Sequence, residues 1–178
     1  MEWKHIHTPV TDDVLENLRC GDLCMISGRL ITARDRAHER IQHLLNENKS
    51  LPFNLAGELI YYVGPAPAKP GQVIGAAGPT TSYRMDPFSG MMFELGIKGM
   101  IGKGKRDDAT KELIKQYRGV YFSSFGGAGA YLSRRVISSK IIAFEDLATE
   151  AVHELTVSMF PVVVAIDMYR GDIFENAL

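Results

Sequence analysis

The sequence is short of cysteine, of long apolar runs and of any surplus of one charge. Only Cys20 and Cys24 stand in its 178 residues. Two thiols are too few for a disulfide framework or a structural metal site, and they read as reduced, partly buried side chains. The longest apolar run, near MFPVVVAI, is far below the roughly 20 residues that a membrane-spanning helix needs. The N-terminal stretch MEWKHIHTPV lacks the apolar segment of a signal peptide. Twenty Lys and Arg against 21 Asp and Glu leave a net charge of −1. That balance gives no basis for a nucleic-acid or anionic-membrane partner. Repeats and low-complexity segments are missing too. With 46% hydrophobic and 23% charged residues, the expectation is one soluble, cytoplasmic domain over residues 1–178.

What is present is an alternation of helix and strand signals. TDDVLENLRCG predicts a short helix closing on Gly21, and LCMISGRLITA at 23–33 a strand interrupted by glycine. Ala37, Ile41, Leu44 and Leu45 carry helical spacing over 33–48. ELIYYVG and QVIGAAG read as strands flanking the loop GPAPAKPGQ at 64–72. Phe88, Met91, Met92 and Leu95 predict a helix that ends at Gly96. GMIG reads as a strand. DDATKELIKQYRG reads as a helix capped by Asp107 or Asp108 and stopped at Gly119. VYFSSF then reads as a strand and GAGAYLSRRVI as a short helix. KIIAFEDL, HELTVSM and FPVVVAID are β-rich. ELIYYVG and QVIGAAG are joined without a helix, which predicts some antiparallel pairing and so a mixed sheet in an α/β layered domain.

Ligands in such domains bind where strands hand over to helices. Four junctions carry unusual residues. In ITARDRAHER, Thr32 and Asp35 fit a capping box, placing Arg34 in the first turn and His38 at the core margin. Arg34 is as consistent with a surface pair to Asp35 as with anion binding. In GPTTSYRMD, Asp86 as N-cap and Pro87 at the first helical position leave Thr80, Thr81, Ser82 and Arg84 in the preceding loop. In MIGKGKRDD, Lys103 sits between two glycines, and KGKR reads as a solvated basic turn. In SSFGGAGAYL the glycines lack dinucleotide spacing and indicate tight strand–helix packing. Arg34, Arg84 and Lys103, if they converge, make a site for a small di-anion, with Arg giving bidentate carboxylate recognition. His5 and His7 share one strand face and read as ordinary strand residues.

SGRLITARDRAHERI, GPTTSYRMD, the Lys-Gly of GKGKR and YFSSFGGAGAYLSRRV, followed by FEDL and FPVVVAID, resemble the beta subunit of class I, iron–sulfur fumarate hydratase. The L-tartrate dehydratase beta subunit has the same pattern. The resemblance spans nearly the whole chain. It implies a swivelling β/β/α domain and a hydro-lyase interconverting (S)-malate and fumarate on a [4Fe–4S] cluster. That cluster is held by three cysteines of a separate alpha subunit, so this chain supplies no metal ligand and works in a hetero-oligomer. By the same resemblance Thr80 is the catalytic base. Arg34 and Arg84 bind the substrate carboxylates, and Lys103 is a further cation on the dicarboxylate substrate. Asp35, His38, Thr81 and Asp86 are supporting residues. Tyr83 departs from the pattern, standing where many relatives have a small residue. Two other functions fit the residues: tartrate dehydration to oxaloacetate, and a non-catalytic module for small di-anions.

Overall fold

A computed structural model describes residues 2–175. Its elements run β1 (Lys4–His7), α1 (Asp12–Glu16), β2 (Leu23–Thr32), α2 (Asp35–Asn46), β3 (Leu59–Tyr61), a 3₁₀ turn (Ser82–Phe88), α3 (Ser89–Glu94), β4 (Gly99–Gly102), α4 (Asp108–Gln116), β5 (Val120–Ser123), α5 (Gly129–Ser133), β6 (Val136–Ala143), a second 3₁₀ turn (Glu145–Glu150) and β7 (Val152–Ile166). The seven strands form one mixed sheet in the order β1-β2-β3-β4-β5-β7-β6. Strands β1 to β5 are mutually parallel. The long β7 runs antiparallel to β2, β5 and β6. Because β7 bonds both β2 and β5, the strands β2-β3-β4-β5-β7 close into a ring.

Two cores follow from strand alternation. Ile26, Leu30, Leu59, Tyr61, Ile101, Phe122, Phe160, Val162 and Val164 pack together inside the ring. Their alternates, including Ile31, Ile60, Met100 and Tyr121, pack outward against Ala37 and Ile41 of α2, Met92 and Phe93 of α3 and Ile114 of α4. Burying each large side chain contributes about 1.5–3 kcal/mol, and both faces of β3, β4 and β5 are sealed. The layering of helices, parallel sheet and antiparallel ribbon agrees with the α/β domain expected.

Several expectations change. QVIGAAG at 72–78 is not a strand: Gly75 N and Ala66 N are bonded within the Pro-rich loop itself, to Ala66 O and Ala76 O. The antiparallel pairs belong to β7 instead, which merges HELTVSM and FPVVVAID into one strand. Met159, at φ 52°, kinks it there. The short helix after Gly127 stops at Ser133, and Val136 already opens β6. Of the two candidates, Asp107 caps α4, its carboxylate accepting from Thr110 N at 2.7 Å. No described helix is long and apolar enough to cross a membrane.

Candidate active site

The four junctions singled out in the sequence all lie at the C-terminal ends of neighbouring parallel strands. Arg34 and Asp35 follow β2 directly, and Lys103 follows Gly102 at the end of β4. Thr80 returns to β3 after the Pro-rich excursion, its amide bonding Tyr62 O at 2.8 Å. Thr81 and Lys103 then form an isolated parallel bridge. Lys103 N donates to Thr80 O at 3.3 Å, and Ser82 N to Lys103 O at 2.9 Å. The threonine corner and the lysine turn are therefore one short ladder extending the sheet. The stem of Lys103 lies against Gly126, which follows β5.

Arg84 projects from the 3₁₀ turn and donates from Nη2 to Thr80 Oγ1 at 2.6 Å. The same nitrogen stands 3.5 Å from Asp35 Oδ2. Arg34 Nε stands 3.8 Å from that oxygen and 3.3 Å from Glu150 Oε1. These contacts are at ion-pair range but out of line, and Arg34 Nε is buried without a hydrogen-bond partner. Asp35 thus bridges the two arginines loosely. A long, poorly aligned contact is weaker than a bidentate one, so guanidinium donors are free for a better-placed carboxylate. Arg34 is held from behind by Gly64: a β-carbon there would meet Arg34 Nη1 at 2.6 Å.

The capping expectations at this site do not hold. Arg34, at φ −126° and ψ −165°, is itself the N-cap of α2. It therefore points ahead of the helix rather than opposing its dipole from within the first turn. Thr32 ends β2 fully buried, its Oγ1 accepting from His153 N at 2.9 Å. Asp86 is not a helix cap: the turn over Ser82–Phe88 carries Pro87 inside it, and α3 begins only at Ser89. The Asp86 carboxylate is instead buried, paired with Arg106 and accepting from Asp107 N at 2.9 Å. His38 is a core histidine as expected. Its ring donates from Nδ1 to Arg34 O at 2.7 Å and stacks on Phe88 at 5.4 Å. Burial pushes its pKa down to about 4, so the ring is neutral.

Two residues at the site escaped the sequence reading. Glu150 carries no local signal, since it reaches Arg34 only through the fold. KGKR reads as a solvated basic turn, yet the Arg106 side chain is fully buried. The glycine loop after β5 packs as expected, Gly129 O accepting from Ala77 N at 3.1 Å beside the Gly78-Pro79 corner. Tyr83 is 62% exposed and does not cover the corner it flanks.

The donor set does not suit an iron–sulfur cluster on this chain. Burial, with Asp167 adding repulsion, pushes the Cys20 thiol up to about 11. Burial pushes Cys24 up to about 12. Neither thiol is activated toward the thiolate that cluster ligation uses. Among the described residues no three His, Cys, Asp or Glu side chains are placed to hold a metal ion. His5 and His7 are exposed on β1, as their spacing indicated.

Comparison with known proteins places these residues in a family. The family model described as Fumarase C-terminus matches residues 3–177. Fumarate hydratase 1, mitochondrial, of Leishmania major is 36% identical over 153 residues, covering 85% of this chain and 28% of that protein. The anaerobic class I fumarate hydratase of Escherichia coli is 32% identical over the same shares of both chains. A Methanocaldococcus jannaschii protein assigned as an L(+)-tartrate dehydratase subunit beta is 34% identical, covering 94% of this chain and 89% of that one. The chain thus spans under a third of the fumarate hydratases it matches, but nearly all of the separate beta subunit.

Proposed function

Because the chain belongs to the Fumarase C-terminus family, we propose that it is the beta subunit of a [4Fe–4S]-dependent hydro-lyase that interconverts (S)-malate and fumarate. The observation that carries this reading is the hydrogen bond from Arg84 Nη2 to Thr80 Oγ1, with Arg34, Asp35 and Lys103 gathered round it. The cluster, and the Lewis-acid chemistry of the departing hydroxyl, belong to an alpha subunit in a hetero-oligomer.

The chemistry of this chain is then binding and proton transfer. Arg34 and Arg84 bind the substrate carboxylates through planar two-pronged donors, and Lys103 adds a point charge. Thr80 Oγ1 takes the C3 proton of malate and returns it in the hydration direction. A threonine hydroxyl is a weak base, and its alkoxide forms only when positive charge stands against it. Arg84, already donating to that oxygen, is so placed. As the proton leaves C3, negative charge moves onto the adjacent carboxylate, where fixed cationic donors stabilise it most. Asp35 sets the spacing of the two arginines, and His38 holds the Arg34 carbonyl at the helix start.

A second reading has its own support. One relative, matching nearly the whole of this chain, is assigned as an L(+)-tartrate dehydratase subunit beta, and tartrate would give oxaloacetate by the same proton abstraction. Anaerobic co-expression with the cluster-bearing alpha chain tests both. Malate and fumarate turnover above that of tartrate supports the main reading, and the reverse order supports the second. No turnover of any of the three, with the cluster confirmed by its spectrum, overturns both.

A further inference from the structure

We propose that Arg106, paired with Asp86, is a positioning residue of this site, holding the threonine corner and the lysine turn as one rigid unit. The proposal rests on the hydro-lyase reading for its kinetic consequence, though not for its structural one. Arg106 is 0% exposed and Asp86 4%. Arg106 Nε donates to Asp86 Oδ1, Nη2 to Ser89 Oγ at 2.9 Å and Nη1 to Met100 Sδ at 3.4 Å. The guanidinium lies 4.9 Å from the Tyr121 ring centre and 5.4 Å from that of Tyr62. The second Asp86 oxygen accepts from Asp107 N. One ion pair therefore ties together the 3₁₀ turn, the start of α3, β4 and the segment that follows Lys103.

The network reaches the site through short links. The Tyr121 hydroxyl is 2.9 Å from Ser82 Oγ and 2.9 Å from Gly104 O. Ser82 lies between Thr80 and Arg84, and Gly104 adjoins Lys103. Gly102 lets this happen, because a β-carbon there would meet Ser82 Oγ at 1.9 Å. Among the described residues Arg84 is anchored only by Thr80 and the long contact to Asp35, so the turn beneath sets its direction. A buried ion pair is poor evidence of a stability gain, since apolar residues of similar volume often serve as well. What it supplies here, beside the backbone ladder and the Tyr121 hydroxyl, is a fixed register between the turn that carries Asp86 and the segment that follows Lys103.

The test uses the assembled enzyme with the double variant Arg106→Met/Asp86→Asn, which leaves no unpaired buried charge. Thermal unfolding, fumarate hydration kinetics and amide exchange at Ser82 and Lys103 are measured together. The expected result is a folded enzyme whose kcat/KM falls about 100-fold, the scale of a misplacement near 1 Å, with faster exchange at both amides. A kcat/KM within twofold of wild type overturns the positioning role, whatever the exchange does. If the double variant does not fold, Arg106→Lys keeps the charge and loses the fork. An intermediate loss of kcat/KM with normal unfolding then supports the proposal, and wild-type kinetics overturn it. If the wild-type assembly turns over no dicarboxylate, the hydro-lyase reading fails and exchange alone decides. Unchanged protection at Ser82 and Lys103 then overturns the positioning role, and lost protection supports it.

Discussion

Arg84 and Arg106 leave the same corner of the sheet in opposite directions. Arg84 is 37% exposed and holds one side-chain hydrogen bond, to Thr80. Arg106 is sealed between two tyrosine rings with a carboxylate, a hydroxyl and a thioether around it. The difference separates two uses of one side chain. A guanidinium with its donors satisfied is a fixed part of the frame. One with donors to spare, partly exposed beside a threonine hydroxyl, is available for a carboxylate.

Breaking each arginine in turn sharpens that contrast. Arg106→Met strands the Asp86 carboxylate in the core and should destabilise the chain by about 3–5 kcal/mol. Arg84→Met should change stability by less than about 1 kcal/mol. Urea unfolding of both variants checks this, and equal losses would erase the distinction. Activity should not follow stability. Arg84→Ala in the assembled enzyme should lower kcat by about 10²–10³, the scale for losing one preorganised donor to developing charge, with the unfolding midpoint unchanged. Steady-state kinetics beside a melting curve decide it.

His38 offers a milder probe of the buried side. Its pKa falls from 6.5 to about 4 on folding, so between those values the unfolded chain binds the extra proton. Its contribution is therefore complete above pH 6.5 and is lost as pH drops toward 4, on the order of 3 kcal/mol in all. Urea midpoints at pH 7 and pH 4.5 should differ less in His38→Leu than in wild type. An identical pH dependence would contradict a neutral, buried ring. Gly102→Ala, which crowds Ser82, should cost about 1–3 kcal/mol as overpacking does. Thermal melts measure it.

The parts legible in the sequence were those written locally. Glycine, proline and carboxylate punctuation located the strand ends, and Arg34, Thr80, Arg84 and Lys103 lie at three such ends because parallel strands present their C-terminal edges together. Partners fixed at a distance could not be read. Asp86 looked like a cap because Pro follows it, while its real partner, Arg106, sits in a run that reads as solvent-facing. QVIGAAG had strand composition, but its backbone bonds back into the Pro-rich loop rather than to the sheet. The mixed sheet was expected for a reason that failed, since the antiparallel partner is the last strand rather than the seventies loop.

The central claim is that Thr80, supported by Arg84, moves the C3 proton. The most direct measurement is turnover of fumarate and malate by the assembled enzyme carrying Thr80→Ala, with cluster content and dicarboxylate binding followed in parallel. The account predicts turnover lower by about 10²–10⁴, the usual worth of a positioned acid–base group, with cluster and binding retained. Turnover close to that of the unmodified enzyme would contradict it.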